Sequence, residues 1–338
     1  MQGIFLTIKL KTMLNVRDFG AKGDGILDDT LAIQTAINSG NEIFIPFGTY
    51  LISSNLTLKS NSIITGYGTL KANADSLNVF TSGTAGIQNV QIIGITIDGG
   101  GQVGGVVATG KKAATGIYLT NATNIIIDKV HIKNCGIMNS TNPFSDNGFS
   151  GVGILAECRS GKIKIIKIIN CVIENIAGGG IAAGDGIIIG GYSDDTTINP
   201  EDVLISNCSV NIVGRNAISL AGDSGASLAN NIRVINNYLS NTQLSGIDVE
   251  DGSDIILSEN QFYKCGNISF YYDYGSEYPS TYKLRAAIAT GEFSNDITIS
   301  DSIIRESNMG ITYGVLSNKI SNVFWTKWDN KTKTYDMA

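Results

Sequence analysis

A short phrase that returns along the chain constrains its fold more than any other feature. It has the form Ile-x-x-small-x-Ile, usually followed by Asn or Cys. Clear copies begin at residues 127, 168, 205, 234, 257, 299 and 320, with a fainter copy at 92, at steps of 21 to 42 residues. The shortest steps approximate one bare repeat unit, and the longer steps contain insertions. Self-similarity at such a period determines the architecture, so it takes precedence over local patterns.

A second phrase, Gly/Ala-Ile-x-aliphatic, precedes most copies of the first. It begins at Gly116, Gly186, Ala217, Gly246 and Gly310. The alternation of apolar and polar residues, rich in β-branched side chains, predicts half-buried strands. Three such strands with tight turns close one triangular coil. A single coil cannot bury its apolar side, so coils must stack. We therefore predict an all-β chain that forms a single-stranded parallel β-helix.

Stacked coils place equivalent residues above one another. Cys171 and Cys208 fall on one position of the repeat, followed by Asn237, Asn260 and Ser302. A stacked Asn can hydrogen-bond to the coils above and below it. The cysteines at these positions are expected to be buried free thiols. A metal site is not expected, because the chain has one His and no Cys-x-x-Cys.

Composition and charge agree with this fold and exclude some partners. The chain has 40 glycines and 4 prolines among 338 residues, and 16% of its residues are charged. Its net charge of −6 disfavours nucleic acid and anionic membranes as partners. It has no run of about 18 apolar residues that would insert into a membrane. The continuous repeat predicts one β-helix domain over residues 15–338, preceded by an extension at 1–14. Within the domain we assign 15–40 to a capping segment, 41–326 to the coils and 327–338 to a C-terminal tail.

The segment before the first coils carries a helix signal. Asp28 or Asp29 can cap a helix that runs from Thr30 to Asn38, in which Leu31, Ile33 and Ile37 are apolar. Such a helix would close the N-terminal end of the solenoid, as a terminal repeat must.

The stretch Asn15-Val-Arg-Asp-Phe-Gly-Ala-Lys-Gly-Asp-Gly carries a specific resemblance. It continues through Asp28-Asp-Thr-Leu-Ala-Ile-Gln-Thr-Ala-Ile-Asn38 and is followed by Ile43-Phe-Ile-Pro-Phe-Gly-Thr-Tyr. It resembles the opening of the pectate-lyase-like superfamily of right-handed parallel β-helices. The branch that it resembles contains phage tailspikes and appendage proteins, exo-polygalacturonases and alginate epimerases. The resemblance implies a right-handed solenoid with an N-terminal capping helix and a polysaccharide as the partner. It also implies a homotrimer, located outside the cell or on a virion tail or appendage.

Three insertions interrupt the repeat, at 136–150, 183–200 and 267–285. Insertions on a rigid scaffold are common places for function. The last one contains five tyrosines in 19 residues. A tyrosine offers a ring and a polar tip, which suit the C–H face and the hydroxyls of a sugar. We predict a carbohydrate platform or, equally, a loop that packs on the helix flank or on another subunit. Its residues are Tyr271, Tyr272, Tyr274, Tyr278, Tyr282 and Arg285.

Carboxylates on the second phrase are candidates for catalysis. In Gly246-Ile-Asp-Val-Glu, the inward Ile247 and Val249 leave Asp248 and Glu250 pointing outward, about 6.5–7 Å apart along the strand. One coil earlier, Ser219 lies beside Asp248, with Asp223 near the following turn. Glu157 lies two coils before Ser219. Glycoside hydrolysis needs one protonated and one ionised carboxyl group. We therefore assign Asp223, Asp248 and Glu250 as catalytic, and Glu157 and Ser219 as substrate-binding. The alternative is that all are solvated residues on an exposed face.

Two other functions stay open. A lyase of the same fold needs a base and a group that neutralises a uronate, for which Arg215, Lys264 and Arg285 are candidates. The only histidine, His131, is expected to be a surface residue of a strand. The Gly-His-Gly and Asn-Thr-Asp patterns of polygalacturonases are absent, as is the Tyr-Gly-Phe-Asp-Pro-His signature of alginate epimerases. We expect no cofactor, with calcium needed only by a lyase. The third function is glycan binding without cleavage, as in a receptor-binding appendage.

Overall fold

The chain winds through three long sheets in strict rotation. A computed structural model of the protein describes residues 13–74, 76–101, 113–136, 151–176, 184–191, 198–222, 229–250, 252–266, 286–290, 296–307, 310–312, 319–329 and 334–337. From the first coils onward, each strand of sheet A is followed by one of sheet B and then one of sheet C. Strands from successive coils pair in parallel. The predicted right-handed parallel β-helix is confirmed.

The strand bounds define the three sheets. Sheet A contains Leu14–Asn15, Glu42–Ile45, Ile63–Gly66, Ile87–Ile93, Ala122–Asp128, Lys164–Ile169, Glu201–Ser206, Ala229–Ile235, Gly252–Ser258, Ile297–Ser300 and Lys319–Ser321. Sheet B contains Asp24–Asp28, Thr49–Ile52, Thr69–Ala72, Thr96–Asp98, His131–Lys133, Val172–Ile176, Ser209–Val213, Tyr238–Thr242, Gln261–Tyr263, Ile303–Arg305, Phe324–Asp329 and Thr334–Met337. Sheet C contains Leu56–Thr57, Leu77–Thr81, Ala113–Thr120, Val152–Cys158, Asp185–Gly191, Ile218–Gly222, Ile247–Val249, Ile288–Thr290 and Ile311–Thr312.

The N-terminal end is closed by the predicted helix, which spans Thr30–Ser39 after a 3-10 turn at Val16–Phe19. Ile33 and Ile37 are fully buried against the first coils, whereas Leu31 is 80% exposed. The side chain of Asp28 accepts hydrogen bonds from the backbone N–H and the hydroxyl of Thr30. Asp29 occupies the N-cap position, but its carboxylate binds other backbone N–H groups. Asp28 therefore provides the side-chain cap.

The interior is filled by one aliphatic side chain after another, as the alternation predicts. A column of small residues lies where the chain enters sheet C. These residues let the sheets pack closely against each other. A Cβ at Gly186 would lie 2.4 Å from a methyl group of Val210 and 2.6 Å from the carbonyl oxygen of Ala217. A Cβ at Gly246 would meet Phe262 at 2.5 Å. The Gly/Ala of the second sequence phrase is thus a packing requirement.

The predicted stack of polar residues runs along one edge of sheet B. The side-chain oxygen of Asn237 accepts from the backbone N–H of Cys208, and that of Asn260 accepts from the backbone N–H of Asn237. Ser302 continues the column by accepting from the backbone N–H of Asn260. The five cysteines are buried free thiols, including Cys158. The column of Asn237, Asn260 and Ser302 hydrogen-bonds each turn to the next one.

The outward side of sheet A alternates from coil to coil. Each of seven successive strands presents one aliphatic and one polar residue, and the two exchange places at every step. The aliphatic residues form a zigzag of half-buried side chains: Ile63, Ile93, Ile126, Ile169, Leu204, Ile235 and Ile256. The polar residues fill the intervening places: Thr65, Gln91, Asp128, Lys167, Ser206, Arg233 and Ser258. Every aliphatic side chain therefore has polar neighbours directly above and below it.

The last two strands depart from the parallel rule. Phe324–Asp329 pairs with Thr334–Met337 in antiparallel fashion at the C-terminal edge of sheet B. Within the described ranges, no helix has the length and apolarity needed to cross a membrane.

Candidate functional site

Four predicted site residues that the structure describes, Glu157, Ser219, Asp248 and Glu250, lie on the outward side of sheet C. Ser219 pairs directly with Asp248 on the next strand, as predicted. Glu157 pairs with Gly190, which in turn pairs with Ala221. By continuation of that register, Glu250 belongs to the same column as Glu157. The two glutamates are therefore separated by three strand spacings, roughly 14 Å.

The carboxylates of this side are less exposed than the sequence alternative supposes. Asp248 is 1% exposed, Glu157 is 2% exposed and Ser219 is fully buried. Among the described carboxylates on this side, only that of Glu250 belongs to a partly exposed residue. Interpreting Asp248, Glu157 and Ser219 as solvated surface positions is therefore wrong. A buried carboxylate must be hydrogen-bonded, paired or protonated, so each of these groups has a defined environment.

An ion pair lies where the chain enters sheet C. Nε of Arg215 donates to both oxygens of Asp185, at 3.0 and 2.9 Å, and its Nη2 donates to Oδ2 at 2.5 Å. The Asp185 side chain is fully buried, and that of Arg215 is 14% exposed. The backbone N–H of Asn216 also donates to Asp185, at 2.8 Å. The Asp185 carboxylate is thus paired with a guanidinium group and hydrogen-bonded to the backbone.

The side chain of Asn216 connects this ion pair to Asp248. Its Nδ2 donates to the hydroxyl of Ser219 at 3.0 Å and to Oδ2 of Asp248 at 3.1 Å. Its oxygen accepts from the backbone N–H of Ser245 at 2.9 Å. Both ends of the amide are therefore used, which fixes its orientation.

Asp248 is the unusual group of the network. Its Oδ1 is buried without a hydrogen-bond partner, although Oδ2 accepts from Asn216. Burial and, next to it, the negative charge of Glu250 raise the pKa of Asp248 to about 7, against the opposing effect of Arg215. A carboxyl group with such a pKa carries a proton near neutral pH for much of the time. The free oxygen can therefore act as a donor.

Glu250 provides a second carboxylate beside Asp248. It follows the strand Ile247–Val249, and its backbone N–H donates to the carbonyl of Leu220 at 2.9 Å. Two residues along a strand correspond to about 6.5–7 Å. This backbone spacing is close to the separation of about 6.5–9.5 Å at which two carboxyl groups leave room for a water molecule.

A second cluster surrounds Glu157. Arg159 donates to its two oxygens from Nε at 2.7 Å and from Nη2 at 3.2 Å. The hydroxyl of Tyr118, on the preceding strand, donates to the same carboxylate. Burial raises the pKa of Tyr118 to about 12, and the hydrogen bond to Glu157 contributes to the rise. The hydroxyl and the carboxylate are fully engaged, so this cluster offers shape and polarity rather than a free proton.

Several predicted site residues lie outside the described ranges. These are Asp223, Tyr271, Tyr272, Tyr274, Tyr278, Tyr282 and Arg285. Their assignments stay predictions.

The two described lyase candidates, Arg215 and Lys264, do not converge around one group. Arg215 is held by Asp185. Lys264 lies 4.8 Å from the ring centre of Tyr263 and 3.7 Å from Glu306, beside sheet B. His131 is half-exposed and lies 2.8 Å from Glu174 on the same sheet. No group of three or more possible metal ligands occurs among the residues that the structure describes.

No role was predicted from the sequence for Asn216, Tyr118 or Arg159. A weak signal exists for Asn216. Polar residues precede the small residue of the second phrase in Asp185-Gly, Asn216-Ala and Ser245-Gly. In a stacked solenoid these three positions fall into one column, where a polar network is expected.

The family of the chain follows from its sequence. The profile of the family described as rhamnogalacturonase A/epimerase, pectate lyase-like, matches residues 13–271. The chain belongs to this family, and the resemblance found in its first 70 residues is confirmed.

The chain is similar to proteins of phages and of a bacterium. It is 27% identical over 268 residues to the pre-neck appendage protein of Bacillus phage phi29, covering 75% of this chain and 26% of that protein. The chain thus spans about a quarter of the length of that relative. The structure of PfbA, a surface adhesin of Streptococcus pneumoniae, matches with a TM-score of 0.61 and 17% identity over 97% of this chain and 98% of that one. The enzymatically active domain of bacteriophage CBA120 tailspike protein 2 matches with a TM-score of 0.62 and 16% identity, over 96% and 44% respectively. The two structural likenesses show the shared β-helix.

Proposed function

We propose that this protein binds a polysaccharide along the outward side of sheet C and hydrolyses it with Asp248 and Glu250. The observation that carries the proposal is the unpartnered, buried Oδ1 of Asp248 next to a second carboxylate. Natural structures leave few buried polar atoms without a partner, and those that remain call for an explanation. A substrate oxygen is a suitable partner for Oδ1.

Asp248 is proposed as the general acid. Asn216 donates to Oδ2, so the proton of the neutral carboxyl group belongs on Oδ1. Its pKa of about 7 keeps enough of the protonated form at neutral pH. In the reaction, the glycosidic oxygen takes the Oδ1 proton as its bond to the anomeric carbon breaks.

Glu250 is proposed as the general base. It removes a proton from a water molecule whose oxygen forms the new bond to the anomeric carbon. The strand geometry separates the two residues by about 6.5–7 Å, which favours inversion over the roughly 5 Å separation of retaining enzymes. Proton transfer of this kind contributes typically about 10²–10⁴-fold to a rate.

Location and assembly are proposed from the relatives. The relative from phage phi29 is a pre-neck appendage protein by name, and PfbA is a surface adhesin by name. We therefore propose an extracellular or virion-borne protein that assembles as a homotrimer. The molar mass from light scattering tests the assembly, and a monomeric value would contradict it.

The second candidate function is glycan binding without cleavage. Its support is the match to the adhesin over 97% of this chain, together with the 1% exposure of Asp248. Elimination by a lyase has less support. The guanidinium of Arg215, which would neutralise a uronate, is already paired with Asp185.

The test is incubation with a panel of bacterial and plant polysaccharides. New reducing ends indicate hydrolysis, and the ultraviolet absorbance of an unsaturated product indicates elimination. Asp248→Asn and Glu250→Gln are expected to lower hydrolysis by at least about 10²-fold. The control, Glu201→Gln, changes a carboxylate that pairs with lysines on sheet A and should leave hydrolysis unchanged. Asp223→Asn tests the remaining predicted carboxylate. Glycan binding without any product would favour the second candidate, and hydrolysis that survives both Asp248→Asn and Glu250→Gln would overturn the residue assignment.

A further inference from the structure

The charged residues on the described strands of sheet C are all acidic. Its strands contain Glu157, Asp185 and Asp248, and none of its described strands contains a lysine, an arginine or a histidine. Sheet A, by contrast, mixes Lys164, Lys167 and Arg233 with acidic residues on its strands. The asymmetry is therefore a property of one face rather than of the acidic chain as a whole.

The two described arginines beside sheet C are each paired with a carboxylate. Arg159 donates two hydrogen bonds to Glu157. Arg215 turns the side formed by Nε and Nη2 towards Asp185. Each pair has no net charge, so neither arginine adds uncompensated positive charge to this face. The pair at Asp185 matters more, because Arg215 is the described cation connected to Asp248 through Asn216.

This distribution of charged residues affects which glycans the surface can bind. A glycan unit that carries a carboxylate or a sulfate needs a compensating cation when it leaves water. Next to Asp248, such a unit would meet another carboxyl group and an arginine that is already occupied. A neutral sugar or an amino sugar meets no such penalty, and its hydroxyl or ammonium groups can bind the free Oδ1 of Asp248.

We infer that Asp185 determines specificity by holding Arg215, which makes this side of sheet C select glycan units that carry no negative charge. The inference rests on the proposed function, since it concerns the ligand of that same surface. It separates this chain from the acidic, uronate-containing polymers that the name of its family suggests.

The experiment measures binding to pairs of oligosaccharides that differ in charge only. Uronate-containing glycans on an array are compared with their carboxyl-reduced counterparts, and amino sugars are included. The wild-type protein is expected to bind the reduced or amino glycans at least about tenfold more tightly than the acidic ones. Asp185→Asn keeps the size of the side chain and frees Arg215, so it should bring acidic glycans to within a few-fold of the neutral ones.

Glu201→Gln is the matched control. It removes the same charge and releases Lys162 and Lys164 from Glu201 beside sheet A, so it should leave the preference unchanged. Lys164 stays 3.7 Å from Asp202. An equal gain in both variants would mean that bulk charge sets the preference, which would overturn the inference. Tighter binding of acidic glycans by the wild type would also overturn it and would leave the proposed function standing. Absence of binding to every glycan would remove both. Where Asp185→Asn does not fold, the wild-type comparison still tests the preference for glycans without negative charge.

Discussion

Asn216 donates its side-chain amide to Oδ2 of Asp248, 3.1 Å away, and leaves Oδ1 as the oxygen that carries the proton. The two residues are 32 positions apart and lie on adjacent coils. This single hydrogen bond orients a carboxyl group whose pKa is raised to about 7. It therefore favours Oδ1 as the site of the proton, and it lowers the pKa of Asp248 against the larger effect of burial.

The stability of the protein should depend on this carboxyl group. Its pKa in the folded state is about 7, against about 4 in the unfolded chain. Between pH 4 and pH 7 the unfolded chain loses this proton while the folded protein keeps it, so stability falls as the pH rises. Asp248→Asn removes the effect. We expect the variant to gain up to about 4 kcal/mol over the wild type above pH 7 and nothing below pH 4, measured by urea unfolding.

Glu201→Gln is the control of opposite sign. Hydrogen bonds from Lys164 and Lys162 lower the pKa of Glu201, so its contribution exists at neutral pH and disappears as the pH falls. The pair is partly exposed, and its loss should cost less than about 1 kcal/mol. An Asp248→Asn variant with the pH dependence of the wild type would contradict the first expectation.

The activity should have an alkaline limb set by Asp248. As the pH rises past 7 the acid loses its proton, and kcat/KM should fall about tenfold per pH unit. The hydrogen bond from Asn216 lowers the pKa of Asp248. Asn216→Ala should therefore move the limb to higher pH, a change that a loss of folded protein would not produce. Asn211→Ala, which removes a hydrogen-bonded Asn from sheet B, should leave the limb in place. An unmoved limb in Asn216→Ala would mean that Asn216 does not act on the acid.

Removing the cation of the buried pair should be costly. Arg215→Met leaves the fully buried Asp185 without its partner, and we expect a loss of about 3–5 kcal/mol in the free energy of unfolding. The double variant with Asp185→Asn should recover part of that loss, because it no longer buries an uncompensated charge. For comparison, Lys319→Met removes an exposed pair with Asp296 and should cost less than about 1 kcal/mol. Equal losses for the two single variants would show that Asp185 is solvated.

The glycines at which the chain enters the strands of sheet C should not tolerate an added methyl group. In Gly246→Ala the new Cβ would lie 2.5 Å from Cδ1 of Phe262 and 2.7 Å from the carbonyl oxygen of Ala287. We expect a loss of about 1–3 kcal/mol from overpacking, measured by thermal unfolding. Gly161→Ala, whose nearest neighbour would be the Asn121 side chain at 3.2 Å, should change stability by less than about 0.5 kcal/mol. A neutral Gly246→Ala would mean that the coils can move apart there.

The repeat in the sequence predicts the fold because each coil follows the same rule. Phrases with a period of two residues fix which side chains face inward, and stacking then fixes the neighbours. This is why the pairing of Ser219 with Asp248 and the column of Asn237 and Asn260 could be predicted. The backbone at Ile165 and Ile212 could not be predicted. Both residues have a left-handed φ, of 55° and 56°, which a β-branched side chain disfavours. The equivalent residues of the coils on either side of Ile165, Asn124 and Asp202, have a left-handed φ as well.

Only part of the site could be predicted from the sequence. The strand pattern shows that Asp248 points away from the core, but it does not show how much of the side chain is covered. Its hydrogen bond comes from Asn216 and its pKa is affected by Arg215, and both residues follow a strand of a different sheet. A periodic pattern describes positions within a sheet, whereas the proton affinity of Asp248 depends on groups that converge from three coils.

The zigzag on the outward side of sheet A implies that the structural period is two coils rather than one. Inserting or deleting a single coil would bring Ile126 over another aliphatic residue, or Lys167 over another long polar one. Inserting or deleting a pair of coils would preserve the checkerboard. The solenoid can therefore change length in even steps without rewriting this surface, so a duplication of two adjacent coils is the natural unit for its evolution and for its redesign.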